Sequence, residues 1–327
     1  MLRALAATSA LFLASLAALA TVLLPATDLT RFRNSLLAEV GEPSDFEWMP
    51  GAYPADFKLE SVPPPDEILA AVDAIRVRSQ NAQQLMTGFV EHLRSKPKRR
   101  GPIQSTTLHA YREIIEQGRG YCADYTQVFN GLAHTAGLPV REWGMSFDGF
   151  GGDGHAFNEV YDESLGQWIF VDPMNGFYVR DRASGRPLSA LEFRERTTRA
   201  DGFETITIER IVENFLFPSD RAAFDYYARG ADQLYLWFGN NVFAYDAHPA
   251  VRALSWSRAL EGLAAIALGV HPEIRIYPTE SNAEMIESLL RLPYYVFGLT
   301  TLTALLGLLL LVQLFVAVRR RRRPLAA

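Results

Sequence analysis

The chain has 327 residues, with 32 Lys plus Arg against 37 Asp plus Glu and a formal net charge of −5. Hydrophobic residues make up 49% of it, which excludes a disordered polar chain and allows one large domain or two smaller ones. There is a single cysteine, Cys122, so an intrachain disulfide, a zinc ribbon and an iron–sulfur site are excluded.

Residues 4–25 are uncharged behind Arg3. The run is long enough to span a bilayer, which takes about 20 residues. We read residues 1–25 as a signal anchor, with a cleaved signal peptide as the alternative. Residues 26–65 hold Pro43, Pro50, Pro54 and Pro63-Pro64-Pro65, interleaved with Phe46, Trp48, Tyr53 and Phe57. That pattern predicts an irregular lead-in with a short strand. Ile68, Ala71, Val72 and Ile75, then Leu85, Phe89, Val90 and Leu93, have helical spacing and predict one or two helices. Residues 96–102 form a basic loop, read as a solvated connection.

Leu108, Tyr111, Ile114 and Ile115 share one face of a helix over 107–117, closed by Gly118. A second helix runs over 122–136 and stops at Gly137-Leu138-Pro139. The period then changes to two. Residues 140–147 read as a strand, 149–154 as a glycine-rich loop, and 155–161 with 167–171 as a hairpin turned by Glu163-Ser164-Leu165-Gly166. The loop is read as a disordered tip or a mobile lip; it lacks the strand–loop–helix setting of a phosphate cradle. A further strand is predicted over 205–211. Residues 212–291 are expected to be mostly helical and aromatic-rich, a packing layer.

Residues 294–318 contain only Gln313 as a strongly polar residue, and five arginines from Arg319 to Arg323 follow. A span over 292–318 ending in a basic stop predicts a cytoplasmic tail, 319–327. The arginines are read as that stop and not as a nucleic-acid site, because no fold presents them. Residues 26–291 carry all 37 acidic residues and fall on the opposite side of the membrane. Their negative charge argues against nucleic acid or anionic lipid as a partner.

Three residues carry candidate chemistry. Cys122 begins a helix, His155 begins a strand and Asp172 ends one. If Asp162 faces Gln167 across the hairpin, Asp172 faces Phe157, which shares a sheet face with His155. The carboxylate and the imidazole then become diagonal neighbours. Helix N–H groups and an imidazolium both stabilise a thiolate, and the glycines of Gly118-Arg119-Gly120-Tyr121 let a substrate backbone approach. His92, His109, His134, His248 and His271 have no such context and are read as structural.

These residues lie in recognisable surroundings. The segments Gly120-Tyr121-Cys122-Ala123-Asp124-Tyr125, Ala136-Gly137-Leu138-Pro139-Val140-Arg141, Gly154-His155-Ala156-Phe157-Asn158-Glu159-Val160-Tyr161 and Trp168-Ile169-Phe170-Val171-Asp172-Pro173 resemble the transglutaminase-like superfamily. The likeness covers about residues 105–180. One departure is Phe157, where the family often has Trp. The resemblance implies an α+β, papain-like core in which a Cys-bearing helix packs on an antiparallel sheet. Here that core carries an extra helical layer and two transmembrane helices. It also implies acyl transfer through a thioester, with Cys122, His155 and Asp172 as catalytic residues. Neither a cofactor nor a metal is carried over. Gln104 and Gln117 are candidates for a second oxyanion donor by residue type only.

The expected catalytic domain is 66–211. The expected activity is hydrolysis or transfer of peptide or amide acyl groups, on a peptide or protein substrate in the cell envelope, by an extracytoplasmic or periplasmic domain. The alternative is a non-catalytic scaffold of the same fold in an envelope or polysaccharide-export assembly.

Overall fold

The computed structural model describes residues 2–24 and 26–321. Pro25, Arg322, Arg323 and the rest of the tail lie outside the described residues. The helix α1 (Leu2–Leu23) is followed by α2 (Ala26–Leu37), β1 (Ala38–Val40) and the short α3 (Ser44–Glu47). Four helices come next: α4 (Asp66–Arg76), α5 (Ala82–Leu93), α6 (Thr107–Gln117) and α7 (Cys122–Thr135). Then come β2 (Val140–Ser146), β3 (Gly154–Asp162), β4 (Gln167–Asp172), β5 (Phe177–Asp181), α8 (Ala190–Thr197) and β6 (Ile206–Arg210). The chain closes with α9 (Asp220–Gly230), β7 (Leu234–Trp237), α10 (Val242–Ala247), α11 (Pro249–Leu254), α12 (Arg258–Ala267), β8 (Ile274–Ile276) and α13 (Ala283–Arg321).

The strands form one sheet in the order β1-β8-β7-β2-β3-β4-β5-β6. All neighbours are antiparallel except β1 and β8. The hairpin has the register predicted: Asp162 faces Gln167 and Asn158 faces Val171. On one face, Val140, Val160, Ile169 and Val171 pack against α4 to α7 through residues such as Phe89, Val128 and Phe129. Each such fully buried large side chain contributes about 1.5–3 kcal/mol. The other face is aromatic, with Trp143, Phe157, Phe170 and Phe177 meeting Phe193 of α8 and Tyr227 of α9.

Arg141 and Glu159 form a buried cross-strand ion pair on that aromatic face. The guanidinium also lies 4.2 Å from the Trp168 ring centroid. These two residues of the motif segments are therefore structural.

Two stretches differ from expectation. Residues 26–37 are helical, not irregular: Asn34 and Leu37, three residues apart, turn inward together, and the proline-rich stretch begins only at Pro43. The stretch expected to be mostly helical also supplies β7 and β8. Leu234 and Leu236 join the aromatic cluster while Tyr235 and Trp237 pack on the opposite face. With apolar side chains on both faces, no polar alternation marks β7 as a strand.

Among the described residues, two helices are long and apolar enough to cross a membrane. They lie side by side and antiparallel: Gln313 Nε2 donates to Thr8 Oγ1 at 3.0 Å, and Gly307 faces the Phe12 ring. The predicted span is the C-terminal part of α13, whose first turns pack against β8 through Ile286 and Leu289.

Candidate active site

The loop before α7 is shaped by two glycines. Gly118 ends α6 at φ +66°, and a Cβ there would lie 2.2 Å from the Pro97 carbonyl oxygen. Gly120 has φ +133° and is enclosed by Tyr125, Asp124 and Ile103. Asp124 then caps the helix. Its carboxylate accepts the N–H groups of Tyr121 (2.8 Å), Gln104 (2.9 Å) and Ile103 (3.2 Å). A carboxylate in the first helical turn complements the dipole, and the first turn leaves backbone N–H groups without intrahelical acceptors. Cys122 is the first residue of this helix and is partly exposed.

The fold brings all three sequence-predicted residues together. Cys122 stands beside His155 and the backbone of Ala156, close enough for both to act on its thiol. His155 Nε2 lies 2.8 Å from Asp172 Oδ2. With Nε2 so engaged, Nδ1 is the ring nitrogen left for sulfur. His155 is 3% exposed and Asp172 is fully buried.

Burial opposes charge on each of the three groups, and at each it is outweighed. The charge and hydrogen bond of His155 hold the Cys122 thiol below its ordinary range. Asp172 and Cys122 push the His155 imidazolium up to about 10. His155 and Asn175 hold the Asp172 carboxyl down. The arrangement therefore favours a thiolate–imidazolium pair backed by a carboxylate.

Several neighbours were not predicted. Asn175 donates its backbone N–H to Asp172 Oδ1 at 2.9 Å and its side-chain amide to Oδ2 at 2.5 Å. Tyr227 of α9 donates its hydroxyl to Oδ2 at 2.7 Å. The ring of Tyr226 meets His155 edge-on at 5.6 Å, and that of Tyr227 does so at 5.8 Å. The sequence Asp172-Pro173-Met174-Asn175 carried a signal for the first, since an Asp side chain commonly accepts a backbone N–H a few residues on. Nothing local pointed to Tyr227.

On the α7 side, Glu142 accepts from Thr126 Oγ1 at 3.1 Å and from Asn130 Nδ2 at 2.8 Å. Thr126 and Asn130 continue the Cys122 stripe of α7 at four-residue spacing. Burial raises the Glu142 carboxyl to about 7 against those two hydrogen bonds.

Two readings of loops change. Lys98, in the loop read as solvated, folds back so that its ammonium donates to the Gly120 carbonyl oxygen and stands over the Tyr125 ring. Burial and the nearby Arg94 lower it to about 8. The glycine-rich loop is tied down. Ser146 Oγ accepts the Phe150 N–H, Asp148 accepts those of Gly151 and Asp153, and Phe150 is buried beneath α2. Of the oxyanion candidates, Gln104 joins the first turn of α7 through its backbone, whereas Gln117 bonds Glu113 on its own helix. Among the described residues no group of three or more His, Cys, Asp or Glu side chains could hold a metal ion.

Residues 70–173 match the family model for the transglutaminase-like superfamily. That segment belongs to the superfamily, and it contains Cys122, His155 and Asp172 but neither Asn175 nor Tyr227. Comparisons with curated proteins and with solved structures matched nothing.

Proposed function

We propose that the chain is a membrane-anchored thiol enzyme that hydrolyses or transfers peptide or amide acyl groups. The observation that carries this reading is the series Cys122–His155–Asp172 at a helix N-terminus, with His155 hydrogen-bonded to Asp172 and acting on the Cys122 thiol. The thiolate of Cys122 attacks the acyl carbon, and the oxyanion draws on first-turn N–H groups of α7. His155 gives its proton to the leaving amine as the carbon–nitrogen bond breaks, which leaves a thioester. Water or a second amine then attacks, with His155 taking the proton back and the thiolate departing. Asp172 holds the imidazole in register.

α1 and α13 act as two spans in this reading. The five arginines Arg319 to Arg323 that close the second span support a cytoplasmic position for both termini. The sheet and its helices then face the periplasm or exterior. A reporter fused after Ala327 is expected to be active only in the cytoplasm, and one inserted near Gly101 only outside. The opposite pattern overturns the orientation.

The catalytic part is tested by alkylation of the intact protein in membranes with an iodoacetamide probe near neutral pH. Wild type is expected to label without denaturant, His155→Asn more slowly, and Cys122→Ala not at all. A Cys122 that reacts no faster than an ordinary thiol, whatever stands at 155, removes the mechanism and favours the scaffold reading.

A further inference from the structure

Among its described residues, α12 presents no polar outer face. A helix on the surface of a globular fold normally turns charged and polar residues to water. Here Glu261 and Ala265 point inward and are buried, and Ile266 packs on the cluster formed by α2, β8 and α13. The outward stripe consists of Leu260, Leu263 and Ala267, three and four residues apart, all exposed. Leu260 is 42% exposed and Leu263 47%. Trp256, just before the helix, is 75% exposed, and Leu268, just after it, is 58% exposed.

The position of α12 indicates what covers that stripe. α12 packs on α2, which follows directly on α1. α2 runs beside α13, where Arg31 hydrogen-bonds Ser288 and the Phe32 ring meets that of Phe297 edge-on at 6.1 Å. The Thr8–Gln313 and Phe12–Gly307 contacts set α1 and α13 antiparallel, so the end of α1 lies level with the Phe297 turn. Exposed Tyr294 and Tyr295 stand at that level, where aromatic residues mark the edge of a bilayer. α12 is thereby attached, through α2, to the helix that follows α1 directly and runs beside the first turns of α13.

We propose that the α11–α12 hairpin is an interfacial membrane contact, with Trp256, Leu260, Leu263, Ala267 and Leu268 seated between the headgroups and upper acyl chains of the bilayer that α1 and α13 cross. This rests on reading those two helices as spans. The chemistry fits a zwitterionic surface: the described stripe carries no charge, and its driving force is apolar burial with a tryptophan at the boundary. The contact gives the globular part a third attachment and restrains its tilt over the membrane.

The test uses the full chain in phosphatidylcholine vesicles, with Cys122→Ser as background so that a fluorophore can be placed elsewhere. Leu263→Cys carries the probe in one sample, Leu305→Cys in a second and Leu165→Cys in a third. Leu165 sits in the β3–β4 turn. The expected result is blue-shifted emission at 263, with a loss of fluorescence to a lipid-borne quencher within about twofold of that at 305 and none at 165. A water-like, unquenched 263 beside a quenched 305 removes the hairpin contact and leaves the spans. No quenching at either position removes both. Blue-shifted emission at 263 without lipid quenching means that protein covers the stripe, which also overturns the proposal. Leu260→Cys repeats the measurement should the 263 variant fail to fold.

Discussion

Glu159→Ala tests the scaffold under the site. Glu159 is fully buried, and its Oε1 accepts the Ala190 N–H at 2.6 Å. Its Oε2 accepts from Arg141 Nε and from the Trp143 indole N–H, both at 2.5 Å. Removing the carboxylate leaves Arg141, 2% exposed, with a charge in the core. Breaking one side of a buried pair costs about 3–5 kcal/mol. Two further donors lose their acceptor at about 1–3 kcal/mol each, in part counted already. A loss of about 5 kcal/mol or more is expected, which rivals the whole stability of a small domain, about 5–15 kcal/mol. Removing both charges, as Arg141→Met with Glu159→Leu, cancels the isolated-charge cost and leaves the two unpaired donors. The double variant should then be more stable than Glu159→Ala by about 2 kcal/mol or more. The assay is denaturant unfolding of the detergent-solubilised chain followed by tryptophan fluorescence. A Glu159→Ala cost under about 1 kcal/mol, or a double variant no better than the single, refutes the reasoning.

Three further outcomes follow from the site. The thiolate–imidazolium pair binds one proton, as an unfolded chain does between the ordinary His and Cys values of about 6.5 and 8.5. The stability advantage of wild type over His155→Asn should therefore stay level across that window. It should then decline as pH rises from about 8.5 towards the folded His155 value of about 10, read by thermal unfolding at a series of pH values. Glu142, raised to about 7, favours the fold when protonated, so its contribution is lost as pH rises from the ordinary Glu value of about 4.3 through 7. Glu142→Gln should lack that slope and compare better with wild type at pH 8 than at pH 4. Tyr227→Phe removes one of three donors to Asp172 Oδ2 and should cost about 1.5–3 kcal/mol in unfolding measurements while Cys122 still alkylates.

Local signals made the centre of the fold legible. α6 and α7 are bounded by glycines at positive φ, a conformation a missing side chain favours, so their ends could be read directly. The His155–Asp172 contact followed on condition that Asp162 faces Gln167 across the hairpin, and that register is observed. Tyr227 was illegible because it reaches Asp172 from a helix 55 residues further on, and one tyrosine in an aromatic-rich stretch looks like any other. Glu142 was hidden for a related reason. A carboxyl on a strand reads as the solvated face, and only the packing of Thr126 and Asn130 above it reveals an enclosed acid. α2 was missed because its neighbourhood was judged by prolines that begin only after β1.

The functional unit extends beyond the segment that carries the family match. Within residues 66–211, β2 has a partner on one side only, because β7 supplies the other. Expressed alone, that stretch exposes a seven-residue edge strand, Val140–Ser146, bearing Trp143 and Met145, both buried in the full chain. An apolar, unpaired edge invites association with another strand. The Asp172 carboxylate also loses Tyr227, and the aromatic cluster loses Phe224 and Leu236. Residues 66–211 alone should therefore aggregate, whereas residues 26–291, which keep β1, β7, β8 and α9, should remain monodisperse in mild detergent by size-exclusion chromatography. A soluble, monomeric 66–211 fragment whose Cys122 alkylates as fast as that of the full chain would show that the later strands and Tyr227 support neither the sheet nor the site.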